Sequence, residues 1–171
     1  MFKCFSRQRD RSNQRKVVIN KNIKALIEAK EFISVASCDL ESRPNAAPKF
    51  LLKVEGSYIY LVDYIIGRTF RNLKVNPFVS ISFFDNNTLV GYQLNGKVEI
   101  IDHGPEYLAA LQDLEHREID LATTRIIDGV IKGQAHKSYG LAIPKQFVIL
   151  KVKVEEIVQM QSSGSLEREK I

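Results

Sequence analysis

Cysteine is scarce in this 171-residue chain: there are two, Cys4 and Cys38, with no CxxC spacing between them. No His/Cys arrangement suits zinc, and a reducing cytoplasmic setting is expected. Tryptophan is absent, and five prolines and nine glycines are too few and too scattered for a collagenous or low-complexity chain. No apolar run approaches the roughly 18 residues of a membrane span. The start, MFKCFSRQRD, lacks the apolar stretch of a secretory signal. With 44% hydrophobic and 26% charged residues, the chain reads as one soluble globular domain with a core large enough to fold without staples.

The net charge of +5 is misleading until it is located. Residues 1 to 16 carry Lys3, Arg7, Arg9, Arg11, Arg15 and Lys16 against Asp10, which leaves 19 basic and 19 acidic groups in the rest. A phosphate-tracking groove needs clustered cations on a folded face; the body of the chain has no such excess, so nucleic-acid binding by it is not expected. The organisation expected is a basic, disordered tail over 1–19, one domain over 20–160 and a polar, frayed tail over 161–171. Phe2, Cys4 and Phe5 beside the cations would suit an anionic surface; a solvated tail is the plainer reading.

Periodicity changes several times along the domain. Asn20 is placed to cap a short helix over about 21–30, with Ile23, Leu26 and Ile27 on one face. FISVASCD, NAAPKFLLKVEG and YIYLVD then read as three strands with short connections. In YIIGRTFRNLKVNP the spacing turns helical, opening near Gly67 to Thr69, burying Phe70 and Leu73, and stopping before Pro77. FVSISFFD and TLVGYQLNGKVEII predict a fourth and a long fifth strand, in which Gly91 and Gly96 signal a bulge or a close backbone approach. Pro105 opens a helix with Tyr107, Leu108, Leu111 and Leu114 on one side. Residues 118–144 are ambiguous, with Gly129, Gly133 and Gly140 suggesting a lid or a surface excursion, and QFVILKVKVEEIVQM is the last strand. Six strands with turn signals every 8–12 residues or so predict a mainly β fold with α, an antiparallel barrel with flanking helices.

The common catalytic motifs are missing. There is no HExxH, GxSxG, Walker loop or GxGxxG, His103, His116 and His136 stand alone, and Cys38 falls inside an apolar strand as a structural thiol. The segment that can bind something is Gly67-Arg68-Thr69. A helix start offers free N–H groups and the positive dipole end, Arg68 adds a guanidinium fork, and Thr69 a hydroxyl, which together suit a phosphate dianion. An exposed Arg beside a capping Thr is the structural alternative.

The order VASCD, RPNAAPKFLLKVEGSYIYLVDYIIGRTFRNLKVNPFVSISFF and GYQLNGKVEIIDHGPEY resembles the FMN-binding split-barrel family related to pyridoxamine 5'-phosphate oxidase, its small FMN-binding and flavoredoxin-like members above all. The resemblance implies a six-stranded antiparallel split β-barrel, a homodimer with flavin at the subunit interface, and FMN as cofactor. Arg68 and Thr69 would hold the FMN phosphate, with Lys49 as a further candidate. Pro48, Lys49, Phe50 and Leu51 on one strand, with Val62 and Asp63 on the next, would run beside the ribityl chain and ring. Tyr92 and Gln93 would reach the flavin from the partner subunit. Barrel packing is the alternative for Phe50 and Tyr92, and a solvated strand end for Lys49 and Asp63. The C-terminal QMQSSGSLEREKI lacks the Arg and His pair of true pyridoxamine phosphate oxidases.

The function implied is that of a cytoplasmic flavoprotein, an FMN-dependent oxidoreductase or electron carrier of which an NAD(P)H-linked flavin reductase is one form. No side chain is nominated as a general acid or base. Two alternatives remain: a non-enzymatic dimeric module whose basic tail contacts nucleic acid or an acidic partner, and a deazaflavin-dependent reductase on the same barrel.

Overall fold

A computed structural model describes residues 19–133 and 146–170. In chain order the elements are α1 (Lys21–Glu28), β1 (Phe32–Cys38), β2 (Pro44–Glu55), β3 (Tyr58–Asp63), α2 (Arg68–Val75), β4 (Phe78–Asp85), β5 (Val90–Ile101), α3 (Pro105–Ile131), β6 (Val148–Met160) and β7 (Leu166–Lys170). The strands pair antiparallel in the order β3-β2-β1-β4-β5-β6, and β3 pairs again with β6, which closes a six-stranded barrel. The fold is mainly β with three helices around it. The far half of β6 extends past β3, and β7 pairs with that exposed edge from Glu156 to Met160. The frayed segment expected after residue 160 is therefore a strand in part: a polar strand satisfies its backbone at a sheet edge without burying its side chains, and all five residues of β7 are exposed.

Period-2 alternation divides the barrel wall into two sets of contacts. Val35, Leu51, Ile59, Leu61, Ile81, Leu94, Leu150 and Val152 point inward and are essentially inaccessible. Phe50, Leu52, Tyr60, Val62 and Ile149 point outward, where α3 lays Ala110 and Leu114 over them. Ile149, which alternation alone assigns to the solvent side of β6, is fully buried for this reason. Ile19, placed in the tail by composition, belongs to the inner core, and its N–H donates to Gly56 O at 3.2 Å. The cap of α1 is as expected, with Asn20 Oδ1 accepting from Ile23 N at 2.9 Å. The basic segment 1–16 lies outside the described residues.

Gly96 is the point of closest strand approach. The pairing of β5 with β6 slips between Asn95 and Gly96, and a Cβ on Gly96 would lie 2.1 Å from Lys153 O. Backbone cannot swing aside as a flexible side chain can, so the crossing must widen to admit any other residue. Gly96→Ala is expected to lose about 2–3 kcal/mol and roughly 5–10 °C in Tm, which a thermal melt followed by circular dichroism checks; a melt superimposing on the parent would show that the crossing relaxes freely.

The ambiguous stretch after residue 117 is mostly helix, because α3 runs unbroken to Ile131, about 40 Å in all. Residues 134–144 of the expected lid lie outside the described residues. Of the side expected to pack, Tyr107, Leu111 and Leu114 do so, joined by Leu121, whereas Leu108 is 61% exposed. No helix among the described residues is long and apolar enough to cross a membrane.

Candidate functional site

A cleft of about 430 Å³ opens where β2, the end of β3 and the start of α2 meet. Its floor follows from strand register. Phe50 pairs with Val62, so one step further along the ladder Lys49 and Asp63 face each other, and both share the inward parity of Leu51 and Leu61. They meet at the mouth of the barrel: Lys49 Nζ donates to Asp63 Oδ1 at 2.6 Å, with the side chains 6% and 1% exposed. A solvated strand end, the alternative for these two residues, is thereby overturned, since parity carries both away from solvent. Oδ1 also accepts from Ile65 N at 3.2 Å, whereas the second oxygen, Oδ2, is buried and has no partner among the described residues. A buried carboxylate oxygen in that condition is costly and marks the place where a donor is wanted.

The second wall is the start of α2. Gly67 is its N-cap and supplies no side-chain bond, so the first-turn N–H groups have no side-chain cap. Arg68 is exposed beside this opening and has no ion pair among the described residues. Thr69 is 2% exposed, and its Oγ1 accepts from Asn45 Nδ2 at 3.0 Å, which leaves the hydroxyl proton free to be donated. Arg71 follows about one turn on, outside this cleft, and with Arg68 it borders a smaller polar hollow of about 340 Å³ that Asp39, Glu41 and Arg43 line from the other side. There the guanidinium of Arg43 is already engaged, by Asp39 at 2.7 Å and Glu41 at 3.0 Å, so Arg68 and Arg71 are the cations left for an anion. Opposite them the cleft is apolar, walled by Phe32, Pro48, Phe50, Val62 and Ile65.

Tyr64 completes the inner wall. Its hydroxyl donates to Glu118 Oε1 of α3 at 3.2 Å, and burial, aided by the Glu118 carboxylate, pushes the phenol well above its ordinary range and keeps it a neutral donor. Next to it, Glu31 and Arg125 form an ion pair that binds α3 to the start of β1.

Of the residues singled out from the sequence, Pro48, Lys49, Phe50, Val62, Asp63, Arg68 and Thr69 line this one cleft. Leu51 does not: its side chain is fully buried inside the barrel, and its N–H is taken by Glu31 O at 2.9 Å. Tyr92 stacks on Phe83 at 5.2 Å between centroids, and Gln93 donates to Ser80 and Asn95, so within one chain neither joins the cleft. Phe32, Asn45, Tyr64 and Ile65, which also line the cleft, were not singled out, nor was Arg71 of the adjoining hollow. Ile65 had a legible signal, a bulky apolar residue in a loop just before a phosphate-suited helix start; Tyr64 had none, since its partner lies 54 positions away. His103, at the turn before α3, pairs with Asp102, His116 is exposed on α3, and no cluster of metal-ligating residues occurs among the described residues. Cys38 is half-buried rather than buried, and its Sγ accepts from Asn76 Nδ2 at 3.2 Å.

The same architecture occurs in solved structures. HupZ of Group A Streptococcus is 25% identical, with a TM-score of 0.62 over 84% of this chain and 95% of that one. A Clostridium acetobutylicum protein related to general stress protein 26 of B. subtilis, of the pyridoxinephosphate oxidase family, is 21% identical with a TM-score of 0.60, covering 86% of this chain and 90% of its own. A pyridoxamine 5'-phosphate oxidase-related, FMN binding protein from Nostoc punctiforme shares the fold at 12% identity and a TM-score of 0.50, over 86% and 90% of the two chains. No curated protein gives a significant match. Residues 19–161, which hold all six barrel strands and the whole cleft, match the pyridoxamine 5'-phosphate oxidase family, and the chain belongs to that family.

Proposed function

We propose that the protein is an FMN-binding oxidoreductase or electron carrier, cytoplasmic, working as a homodimer with flavin at the subunit interface. One observation carries the reading: a single cleft joins an apolar wall, an uncapped helix start with Arg68 and the Thr69 hydroxyl, and a buried Lys49–Asp63 pair with one carboxylate oxygen unpartnered among the described residues, while Arg71 borders the polar hollow that shares Arg68 with it. FMN has the matching parts, a phosphate dianion and a flat ring with an apolar body and a polar edge that both donates and accepts. Phosphate would fall to the α2 start, while Phe32, Pro48 and Phe50 would exclude water from one side of the ring. Lys49 and Asp63 would meet its polar edge, and Tyr92 and Gln93 would come from the partner. Bound FMN supplies hydride or single-electron transfer; the chain supplies binding, orientation and the field around the ring. Membership of the family and the FMN binding protein among its structural neighbours support this reading.

An absorbance spectrum of freshly purified protein, with heat release and mass identification of the chromophore, tests it. Flavin bands and released FMN are expected. A colourless protein that refuses added FMN but takes up a deazaflavin would transfer the reading to that cofactor, and one that takes neither would leave the barrel as a scaffold.

A further inference from the structure

The Lys49–Asp63 pair has more hydrogen-bonding capacity than the fold uses. An ammonium carries three N–H donors, and Lys49 Nζ spends one of them on Asp63 Oδ1 at 2.6 Å, with no other acceptor among the described residues. Oδ1 is occupied twice, by Lys49 and by Ile65 N, whereas Oδ2 is buried without a donor among the described residues. The neighbouring strands bring no polar group to either: Ile33 pairs with Lys49 and Val148 with Asp63, and both belong to the inner core. A buried ion pair is tolerable when its remaining donors and acceptors are satisfied, and both of these side chains line the cleft. The complement they call for is a ligand edge with an N–H beside a carbonyl, as in a ring lactam or imide. An edge of acceptors alone, a carboxylate or a second phosphate, would leave Oδ2 unpaired and set like charges together.

We infer that Asp63 determines which ring the cleft accepts: its Oδ2 takes the hydrogen bond of the imide N–H at flavin position N3, and Lys49 donates to an adjoining ring carbonyl. This rests on the FMN binding proposed above and assigns the polar edge of the ring to two side chains. The terminal torsion of an aspartate is broad, so a small turn brings Oδ2 to a donor in the cleft while Lys49 keeps the charge balanced. A site built to pair a ligand N–H rejects the analogue that lacks it, because the buried acceptor is then left alone. Arg68 and the α2 start therefore select for the phosphate, and Asp63 for the ring.

Fluorescence titration of the flavin-free full chain with FMN and with N3-methyl-FMN, in the parent and in Asp63→Asn, tests the inference. Asparagine keeps the size of the side chain and an oxygen for Lys49 and Ile65 N, and it places an NH₂ donor where Oδ2 stood. The parent is expected to prefer FMN over the methylated analogue by roughly 10- to 100-fold. In Asp63→Asn that preference is expected to fall by at least about tenfold, since a donor there faces the N3–H. A cleft merely loosened by the substitution would bind both flavins more weakly and keep their ratio, so the ratio reports on the N3–H contact itself. Equal binding of the two flavins by the parent, or a preference kept in Asp63→Asn, would overturn the inference and leave FMN binding standing; a parent that takes up neither flavin would overturn both. Should Asp63→Asn not fold, Lys49→Met/Asp63→Leu is read in its place, with the same loss of preference expected and the same outcomes overturning the inference.

Discussion

Asp63→Leu is expected to destabilise the protein by about 3–5 kcal/mol, the largest effect of any single change at the cleft. The substitution leaves Lys49 Nζ, on a side chain 6% exposed, without the carboxylate 2.6 Å away that makes its burial tolerable. It also removes the acceptor of Ile65 N, which fixes the loop leading to α2. Lys49→Met is expected to cost a similar amount, since Asp63 would then have a buried charge and two poorly served oxygens. The double variant Lys49→Met/Asp63→Leu is the informative one: two apolar side chains of suitable volume at the barrel mouth are expected to restore most of the loss, because the desolvation of both charges is removed together. Urea unfolding of the four proteins measures this. Single variants within 1 kcal/mol of the parent would mean that water reaches the pair. The double variant, folded but without its ion pair, is also expected to bind FMN more weakly than the parent.

Arg68→Ala/Arg71→Ala is expected to weaken FMN binding by two to three orders of magnitude while leaving the fold intact. Each charge-assisted contact to phosphate contributes about 1.5–3 kcal/mol, roughly 10- to 100-fold in Kd. Neither guanidinium is engaged in an ion pair among the described residues, and both side chains are exposed, so stability should move by less than about 0.5 kcal/mol. Arg68→Lys should recover part of the binding, since an ammonium keeps the charge and loses the fork. Riboflavin is the control: without a phosphate, its affinity should be low and nearly the same in parent and variant. Fluorescence titrations with both flavins decide it, and an FMN affinity unmoved by the double substitution would take the phosphate away from the α2 start.

The local elements were legible because local physics determines them. YIYLVD is a strand at its expected limits, Asn20 caps α1, α2 opens at Gly67 and ends before Pro77, and the cost of glycine in a strand pointed to the crossing at Gly96. Arg68 and Thr69 could be paired from sequence because the site they form is one helix terminus.

What tertiary structure decided are the properties that depend on what covers a residue. Lys49 and Asp63 were candidates for the flavin with a solvated strand end as the alternative, and only register and parity show that both turn into the barrel mouth and pair there. Residues 118–131 lacked a clear helical signal because their apolar positions lie on opposite sides of the helix, which blurs the one-sided periodicity by which amphipathic helices are recognised. β7 is polar throughout, and only the length of β6 beyond β3 makes it a strand. Tyr64 and Glu118 are far apart in sequence and meet because α3 folds back across the outer wall of the barrel. The sequence by itself determined where strands, turns and the anion-suited helix start would form. Closure of the barrel decided which charges are buried, because burial is set by neighbours that the local pattern does not name.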